Sequence, residues 1–178
     1  MSPTDGKPEL VVAIDPDPAE VLRYLGYPPD ATPDPSVIER VSQIIQDSGG
    51  KLRPRGAYSL YPVLRQGPRA LTLAGGATFR GPIGDLLGGA HRVAVFLATA
   101  GPEVVRMAEQ AFDARDRLAG LIYDALGSHL ADAVVERIQD DLRACIAPDE
   151  ALTLPYSPGY CGIPLAQQRT LFRLVDAG

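Results

Sequence analysis

The sequence predicts a single domain of mixed helix and strand, and three observations indicate this class. A chain of 178 residues with 46% hydrophobic and 22% charged residues can build one hydrophobic core. Short apolar runs typical of strands are mixed with stretches in which apolar residues recur every three or four positions, as in helices. Glycine and proline separate these segments. We therefore expect one domain over residues 1–178, with a helical N-terminal cap (1–50) and a main body (51–178).

The cap is rich in proline, with eight of the 17 prolines at or before position 35. Residues 9–14 predict a short strand, and residues 19–25 predict a short helix. The next helix is better signalled, because Asp34 is suited to the N-cap and Pro35 to the first helical position. Its apolar residues keep helical spacing until Gly49-Gly50 ends it: Val37, Ile38, Val41, Ile44 and Ile45.

The main body begins with predicted strands at 57–64 and 70–74, and Pro62 confines the first to a sheet edge or a bulge. Residues 83–87 predict a short helix. Residues 92–98 are apolar on both faces, which is typical of a central, buried strand. That strand leads into Gly101-Pro102, which are suited to cap and open a helix. A strand end that meets a helix start is a common ligand position, although structural needs alone also explain this dipeptide.

Two helices are predicted at 102–112 and 115–145, and the longer one has two stripes with four-residue spacing. The apolar stripe consists of Leu118, Ile122, Leu126, Leu130, Val134, Ile138 and Leu142. The polar stripe consists of Asp124, Ser128, Asp132, Glu136 and Asp140. A polar stripe is usually a solvated surface, but like charges four residues apart repel one another mildly.

Charge and composition exclude several functions. The net charge of −5, with no basic run, argues against nucleic acid and suits a small ligand or a protein partner. No apolar run approaches the ~20 residues that span a bilayer, and residues 1–7 lack the apolar core of a signal peptide. We therefore expect no membrane partner and a cytoplasmic location. Cys145 and Cys161 lack CxxC spacing, which favours reduced thiols and no zinc site.

Familiar catalytic motifs are absent from the sequence. There is no phosphate-binding glycine loop and no H-E-x-x-H, and two histidines cannot build a histidine-rich metal site. His129 lies beside Ser128 on one helix, where neighbours do not face each other, so we expect no triad. His91 fits a surface or capping role, and Cys161 a small buried filler. We predict no catalytic residue and no bound metal.

The most informative stretch is residues 154–164, which we call the signature loop. Three prolines and two glycines exclude helix or central strand. Gly159 lets another molecule approach the main chain, and a rigid loop before a helix can offer N–H groups to a carboxylate. The helix that follows has apolar residues at Leu165, Leu171, Phe172 and Val175. The alternative interpretation is a tight connection between two elements.

Ser157-Pro158-Gly159-Tyr160, followed by a proline, leucine, a glutamine and Leu171-Phe172, resembles a known signature. It is similar to that of the activation domain of cobalamin-dependent methionine synthase and its free-standing relatives. Residues 20–27, 96–101 and 124–128 also resemble landmarks of this family, so the resemblance covers most of the chain.

The resemblance implies an α+β domain in which helices flank a twisted antiparallel sheet. It implies binding of S-adenosylmethionine (AdoMet) and docking onto a corrinoid-binding protein or domain of methionine synthase, which carries the cobalamin. There the family returns cob(II)alamin to methylcobalamin, with AdoMet as methyl donor and an electron from a flavodoxin-like reductant. The protein would then act within a methyltransferase system of methionine biosynthesis. The implied ligand contacts are Tyr156, Ser157, Pro158, Gly159, Tyr160, Cys161, Asp132 and Glu136, the acids being suited to the ammonium and sulfonium groups.

Two features depart from the family pattern. Pro155 stands where relatives carry an arginine suited to the AdoMet carboxylate, so Arg53, Arg55 or Arg80 would have to replace it. The chain also stops at Gly178, where relatives continue, which indicates a trimmed or a shortened member. Both departures favour an alternative, a non-catalytic scaffold that binds a corrinoid protein without AdoMet. An unrelated AdoMet enzyme is less favoured, because no general base or nucleophile is visible.

Overall fold

The computed structural model describes residues 6–175. Residues 1–7, for which the sequence predicts no signal peptide, lie mostly outside this range. Within the described range, the strands are β1 (Gly6–Val11), β2 (Arg55–Gly67), β3 (Ala70–Leu73), β4 (Thr78–Arg80) and β5 (Arg92–Thr99). The helices are α1 (Pro18–Tyr24), α2 (Pro35–Ser48), α3 (Ile83–Leu86), α4 (Pro102–Asp113), α5 (Arg117–Arg143) and α6 (Gln168–Leu174). A 3-10 helix, Leu165–Gln167, precedes α6.

The strands form one curled sheet in the order β1-β2-β3-β4, and β5 pairs with β2 off this path. β2 pairs antiparallel with β3, and β3 pairs antiparallel with β4. The register between β2 and β3 shifts between Val63 and Arg65, directly after Pro62, whose ring cannot donate a ladder hydrogen bond. The predicted α+β class is confirmed, as is the irregularity predicted at Pro62.

β5 does not match its prediction as a strand buried on both faces. Its Val95 is buried, whereas its other residues are half-buried or exposed. In the part of the chain that the structure describes, its strand partner is β2. A run of apolar residues does not by itself distinguish a half-covered strand from a central one, which is why the prediction was wrong.

The chain groups into two compact units, each assembled from separate segments. The first unit comprises residues 57–97 and 138–175 together with the described part of 1–10, and the second comprises 11–56 and 98–137. In the first unit, apolar residues of the sheet, α3 and the C-terminal segment share one core, which contains Tyr61, Leu71, Leu73, Phe79, Ile83, Val95, Ile163 and Val175. The division into a cap (1–50) and a body (51–178) stays a prediction.

The second unit is helical, and its core contains Val21, Val41, Ile44, Val104, Ile122, Leu126 and Leu130. α2 begins as predicted, because the Asp34 carboxylate accepts a hydrogen bond from the Ser36 N–H at 2.8 Å. α4 follows Gly101, whose φ of +91° only glycine adopts without strain. A Cβ at Gly101 would lie 2.9 Å from the Arg53 carbonyl oxygen, so a structural need explains this glycine.

α5 confirms the predicted apolar stripe, with one exception. Six of its seven positions are buried, and Leu118 is 40% exposed. Burying a side chain of this size stabilises the fold by about 1.5–3 kcal/mol each. By length and composition alone α5 could also cross a bilayer, but one such helix is weak evidence, because the core helix of a globular protein passes the same test.

Candidate functional site

The signature loop is built from two successive turns. The Tyr160 N–H donates to the Ser157 carbonyl at 3.1 Å, with Pro158 and Gly159 as the central residues. Gly159 has a φ of +96°, as the third position of a type II turn requires. The Ile163 N–H then donates to the Tyr160 carbonyl at 2.9 Å. A third bond, from the Gly159 N–H to the Ile163 carbonyl at 2.8 Å, closes both turns into one unit, which we call the double turn (157–163).

The second turn holds Cys161 in an uncommon conformation. Cys161 and Gly162, its central residues, have φ values of +50° and +75°, as in a type I′ turn. The left-handed region costs a non-glycine residue about 1–2 kcal/mol, so the surrounding bonds must maintain it. Cys161 is exposed, and the prediction of a small buried filler was therefore wrong. Residues 159–162 are all exposed, so the thiol lies at the surface with its neighbours.

Apolar contacts and one amide fix the base of the loop. Ile163 is 5% exposed and belongs to the core of the first unit, while Tyr156 packs partly buried against that core. Pro158 is buried. The Gln167 side chain, also buried, donates its amide N–H to the Arg80 carbonyl oxygen at 2.9 Å. The base is therefore held in place independently of any ligand.

The tip of the loop, in contrast, faces solvent. Ser157, Gly159 and Cys161 are exposed, and the Tyr160 ring is 71% exposed. A Cβ built on Gly159 would meet Leu165 Cδ1 at 3.3 Å and no other atom within 4 Å. Among residues 6–175, no hydrogen bond engages the N–H groups of Cys161 and Gly162. An aromatic face and two free donors are thus available beside open main chain.

The segment after the loop differs in detail from its prediction. Pro164 precedes the 3-10 helix without a side-chain cap, and the Gln167 N–H donates back to Pro164. Leu165 and Phe172 are exposed, whereas Val175 is buried. The Tyr61 hydroxyl donates to the Leu174 carbonyl at 2.5 Å and fastens the end of α6 to β2.

The two acidic residues predicted as ligand contacts, Asp132 and Glu136, lie in the second unit on α5. All five members of the polar stripe are exposed, as expected of a solvated surface. Asp132 accepts a hydrogen bond from the Tyr24 hydroxyl. Burial and this carboxylate raise the pKa of Tyr24, and the Arg23 guanidinium, 4.4 Å from the ring centroid, opposes the rise. The role of Asp132 and Glu136 in ligand binding stays a prediction.

Neither histidine belongs to a catalytic arrangement. His129 Nε2 accepts the Asp17 backbone N–H at 3.3 Å, and no triad with Ser128 forms. His91 is exposed and contacts Glu150 at 2.8 Å, a surface role as predicted. The Ala147 N–H, His91 and Arg92 together lower the pKa of Glu150. Within residues 6–175, no group of three or more metal-binding side chains occurs.

Sequence reasoning missed the partner surface of the loop, which is the turn after β4. A Cβ at Gly81 would lie 3.1 Å from the Gly162 carbonyl oxygen and 3.2 Å from Pro164 Cδ. Gly81 also has a φ of +97°. The sequence shows this glycine, but nothing in it shows that two segments about 80 residues apart meet there.

Comparisons with known proteins show the fold. No protein-family model and no curated protein sequence matches this chain. Among solved structures, the crystal structure of the MetH reactivation domain bound to AdoHcy matches with a TM-score of 0.70 and 17% sequence identity. The match covers 97% of this chain and 70% of that chain. The activation-domain-like architecture that the signature predicts is therefore confirmed at the level of the fold.

Proposed function

We propose that this protein binds AdoMet at the double turn and supports reactivation of a cobalamin-dependent methyltransferase of the methionine synthase type. The observation that carries the proposal is the closed, core-anchored double turn with an exposed tip, in a fold similar to a reactivation domain bound to AdoHcy. The proposal includes a corrinoid-binding protein as partner, a flavodoxin-like reductant and a cytoplasmic location.

The chemistry of the tip fits the ligand. The exposed Tyr160 ring offers a face on which an adenine can stack. The free N–H groups of Cys161 and Gly162 can donate to ribose or carboxylate oxygens. Pro158 and the internal hydrogen bonds of the double turn hold these groups in place before the ligand binds. Ligand binding therefore does not have to order the loop, which lowers the entropic cost of binding.

The role of these residues is to bind and orient the ligand. When bound, AdoMet would supply an activated methyl group to the corrinoid of the partner and leave as AdoHcy, while the flavodoxin-like reductant would supply the electron that cob(II)alamin needs. The chain needs no general acid or nucleophile for such a transfer, because the contribution of the protein is position.

Two observations favour the alternative, a scaffold that binds a corrinoid protein without AdoMet. Pro155 replaces the arginine of the family, and the N–H groups of Gly159, Tyr160 and Ile163 are already bonded within the loop. A scaffold would keep the fold and the exposed apolar residues around the loop, such as Leu154 and Leu165.

Titration calorimetry with AdoMet tests the proposal. We expect saturable heat, and Tyr160→Ala should weaken binding about 5- to 100-fold, the value of one base–aromatic stack. Phe172→Ala is the matched control, because Phe172 is another exposed aromatic residue at 64% exposure, on α6, and its loss should leave affinity unchanged.

The outcome separates the two functions. Absence of heat at millimolar AdoMet removes the AdoMet function. In that case, capture of a cobalamin-loaded fragment of methionine synthase by the immobilised protein selects the scaffold. If AdoMet binds, and if it also strengthens capture of that fragment by the immobilised protein, the reactivation function is supported instead.

A further inference from the structure

Arg80, the last residue of β4, carries a guanidinium that the fold does not use. β4 alternates exposed, buried and exposed side chains, with Phe79 in the core and Arg80 on the open face. Within residues 6–175, no hydrogen bond or ion pair engages the Arg80 guanidinium. An unpaired arginine on a short strand has no evident role in stability.

The backbone of Arg80 is fixed beside the signature loop. The Arg80 carbonyl oxygen accepts the Gln167 amide at 2.9 Å. The next residue, Gly81, approaches Gly162 and Pro164 so closely that a Cβ would lie little more than 3 Å from both. A Cβ on Gly162 would in turn lie 3.4 Å from Pro82 Cγ. The turn that follows Arg80 is thus packed against the C-terminal end of the signature loop.

The other two arginines considered from the sequence are less suited. Arg55 already has an interaction partner within the protein. The Arg53 guanidinium also donates to the Gly50 and Leu52 carbonyl oxygens at 2.7 and 2.8 Å. Of these three arginines, Arg80 is the one whose guanidinium is unpaired among the described residues and whose following residue, Gly81, contacts the signature loop.

We infer that Arg80 binds the carboxylate of the amino-acid portion of AdoMet and replaces, from β4, the arginine that Pro155 displaces. A guanidinium pairs with a carboxylate through two parallel hydrogen bonds, which a lysine ammonium cannot reproduce. The inference rests on the proposed function and adds a specificity determinant to it: the loop would hold the nucleoside, and Arg80 would select ligands that retain the carboxylate.

Calorimetric titrations with AdoMet and with decarboxylated AdoMet test this inference. Arg80→Ala should weaken AdoMet about 10- to 100-fold, as expected for charge-assisted hydrogen bonds, and leave decarboxylated AdoMet unchanged. Arg80→Lys should recover part of the loss. Arg65→Ala is the matched control, because Arg65 is exposed, lies in β2 opposite Thr72 on the same open face, and should change neither affinity.

The outcomes distinguish this inference from the proposed function. If wild-type protein binds AdoMet and Arg80→Ala binds it equally well, the role of Arg80 is refuted and the AdoMet function stands. Equal affinity of the wild type for both ligands also refutes it, since no carboxylate would be recognised. If the wild type binds neither ligand, the proposed function fails and the inference with it. Thermal unfolding of each variant checks that the exposed substitutions leave the fold intact.

Discussion

Substitution of Gly159 by alanine tests both the geometry of the double turn and its role. At a φ of +96°, a residue with a Cβ is strained by about 1–2 kcal/mol. The contact of the new Cβ with Leu165 Cδ1 at 3.3 Å adds little, because that atom ends a flexible side chain that is 60% exposed. We therefore expect a loss of unfolding free energy of about 1–2 kcal/mol, or a fall in Tm of about 2–4 °C per kcal/mol.

The same Cβ would occupy the space beside the Gly159 main chain, where we expect the ligand to make contact. Restoring the turn on binding should raise the Kd for AdoMet about 5- to 30-fold, which corresponds to the strain energy. Gly75→Ala is the matched control: Gly75 has a φ of +86° with no atom within 4 Å of its Cβ position, and it lies in the β3–β4 turn. Its stability loss should be similar, and its affinity for AdoMet unchanged.

Urea unfolding and calorimetry of both variants provide the two measurements. A Gly159→Ala protein as stable as the wild type would show that the type II turn is not formed. Equal AdoMet affinity in the wild type and in Gly159→Ala, despite the loss of stability, would refute the assignment of this turn to the ligand.

Three further predictions concern the fold. Gly84→Ala should lower the unfolding free energy measured in urea by at least about 2 kcal/mol, because its Cβ would lie 1.9 Å from the Gly67 carbonyl oxygen. Gly67→Ala, with open space around its Cβ, is the control and should be tolerated. Equal stability of the two variants would contradict the packing of α3. Burial and the hydrogen bond to Asp141 raise the pKa of Tyr58. The contribution of Tyr58 to stability is therefore present below pH ~10, its unfolded pKa, and is lost as the pH rises through its pKa in the folded protein. Tyr58→Phe should flatten the alkaline fall in the unfolding free energy, and an unchanged slope would count against this role of Tyr58. The Ala147 N–H, His91 and Arg92 lower the pKa of Glu150. The contribution of Glu150 to stability is therefore present above its unfolded pKa of ~4.3 and is lost as the pH falls through its pKa in the folded protein. Glu150→Gln should make the unfolding free energy depend less on acidic pH, and a variant with the pH dependence of the wild type would disprove this.

Periodicity and capping predicted the helices well. Asp34 caps α2 as expected, and the stripe from Ile122 to Leu142 lies in the core. These signals are local, because a helix satisfies its own backbone hydrogen bonds and needs only one apolar face. β4 was not predicted, since three residues with one buried side chain, Phe79, carry too short a pattern. Its existence depends on pairing with β3, which is not a local property.

In the candidate site, too, features set by local sequence could be predicted and features set by tertiary contacts could not. The rigidity of residues 157–163 could be predicted, because proline and glycine restrict and permit φ directly. The exposed, left-handed conformation of Cys161 could not, since it belongs to the second turn, which the hydrogen bond from the Ile163 N–H to the Tyr160 carbonyl closes. The position of Arg80 beside the loop also depends on a tertiary contact, from Gln167.

The central claim is that AdoMet contacts the tip of the double turn, and amide chemical shifts measure this most directly. In a ¹H–¹⁵N titration of the labelled protein with AdoMet, we predict the largest changes at the Gly159, Tyr160, Cys161 and Gly162 amides. Shifts that remain unchanged at these four amides at saturating AdoMet would contradict the claim, even if changes appeared elsewhere in the chain.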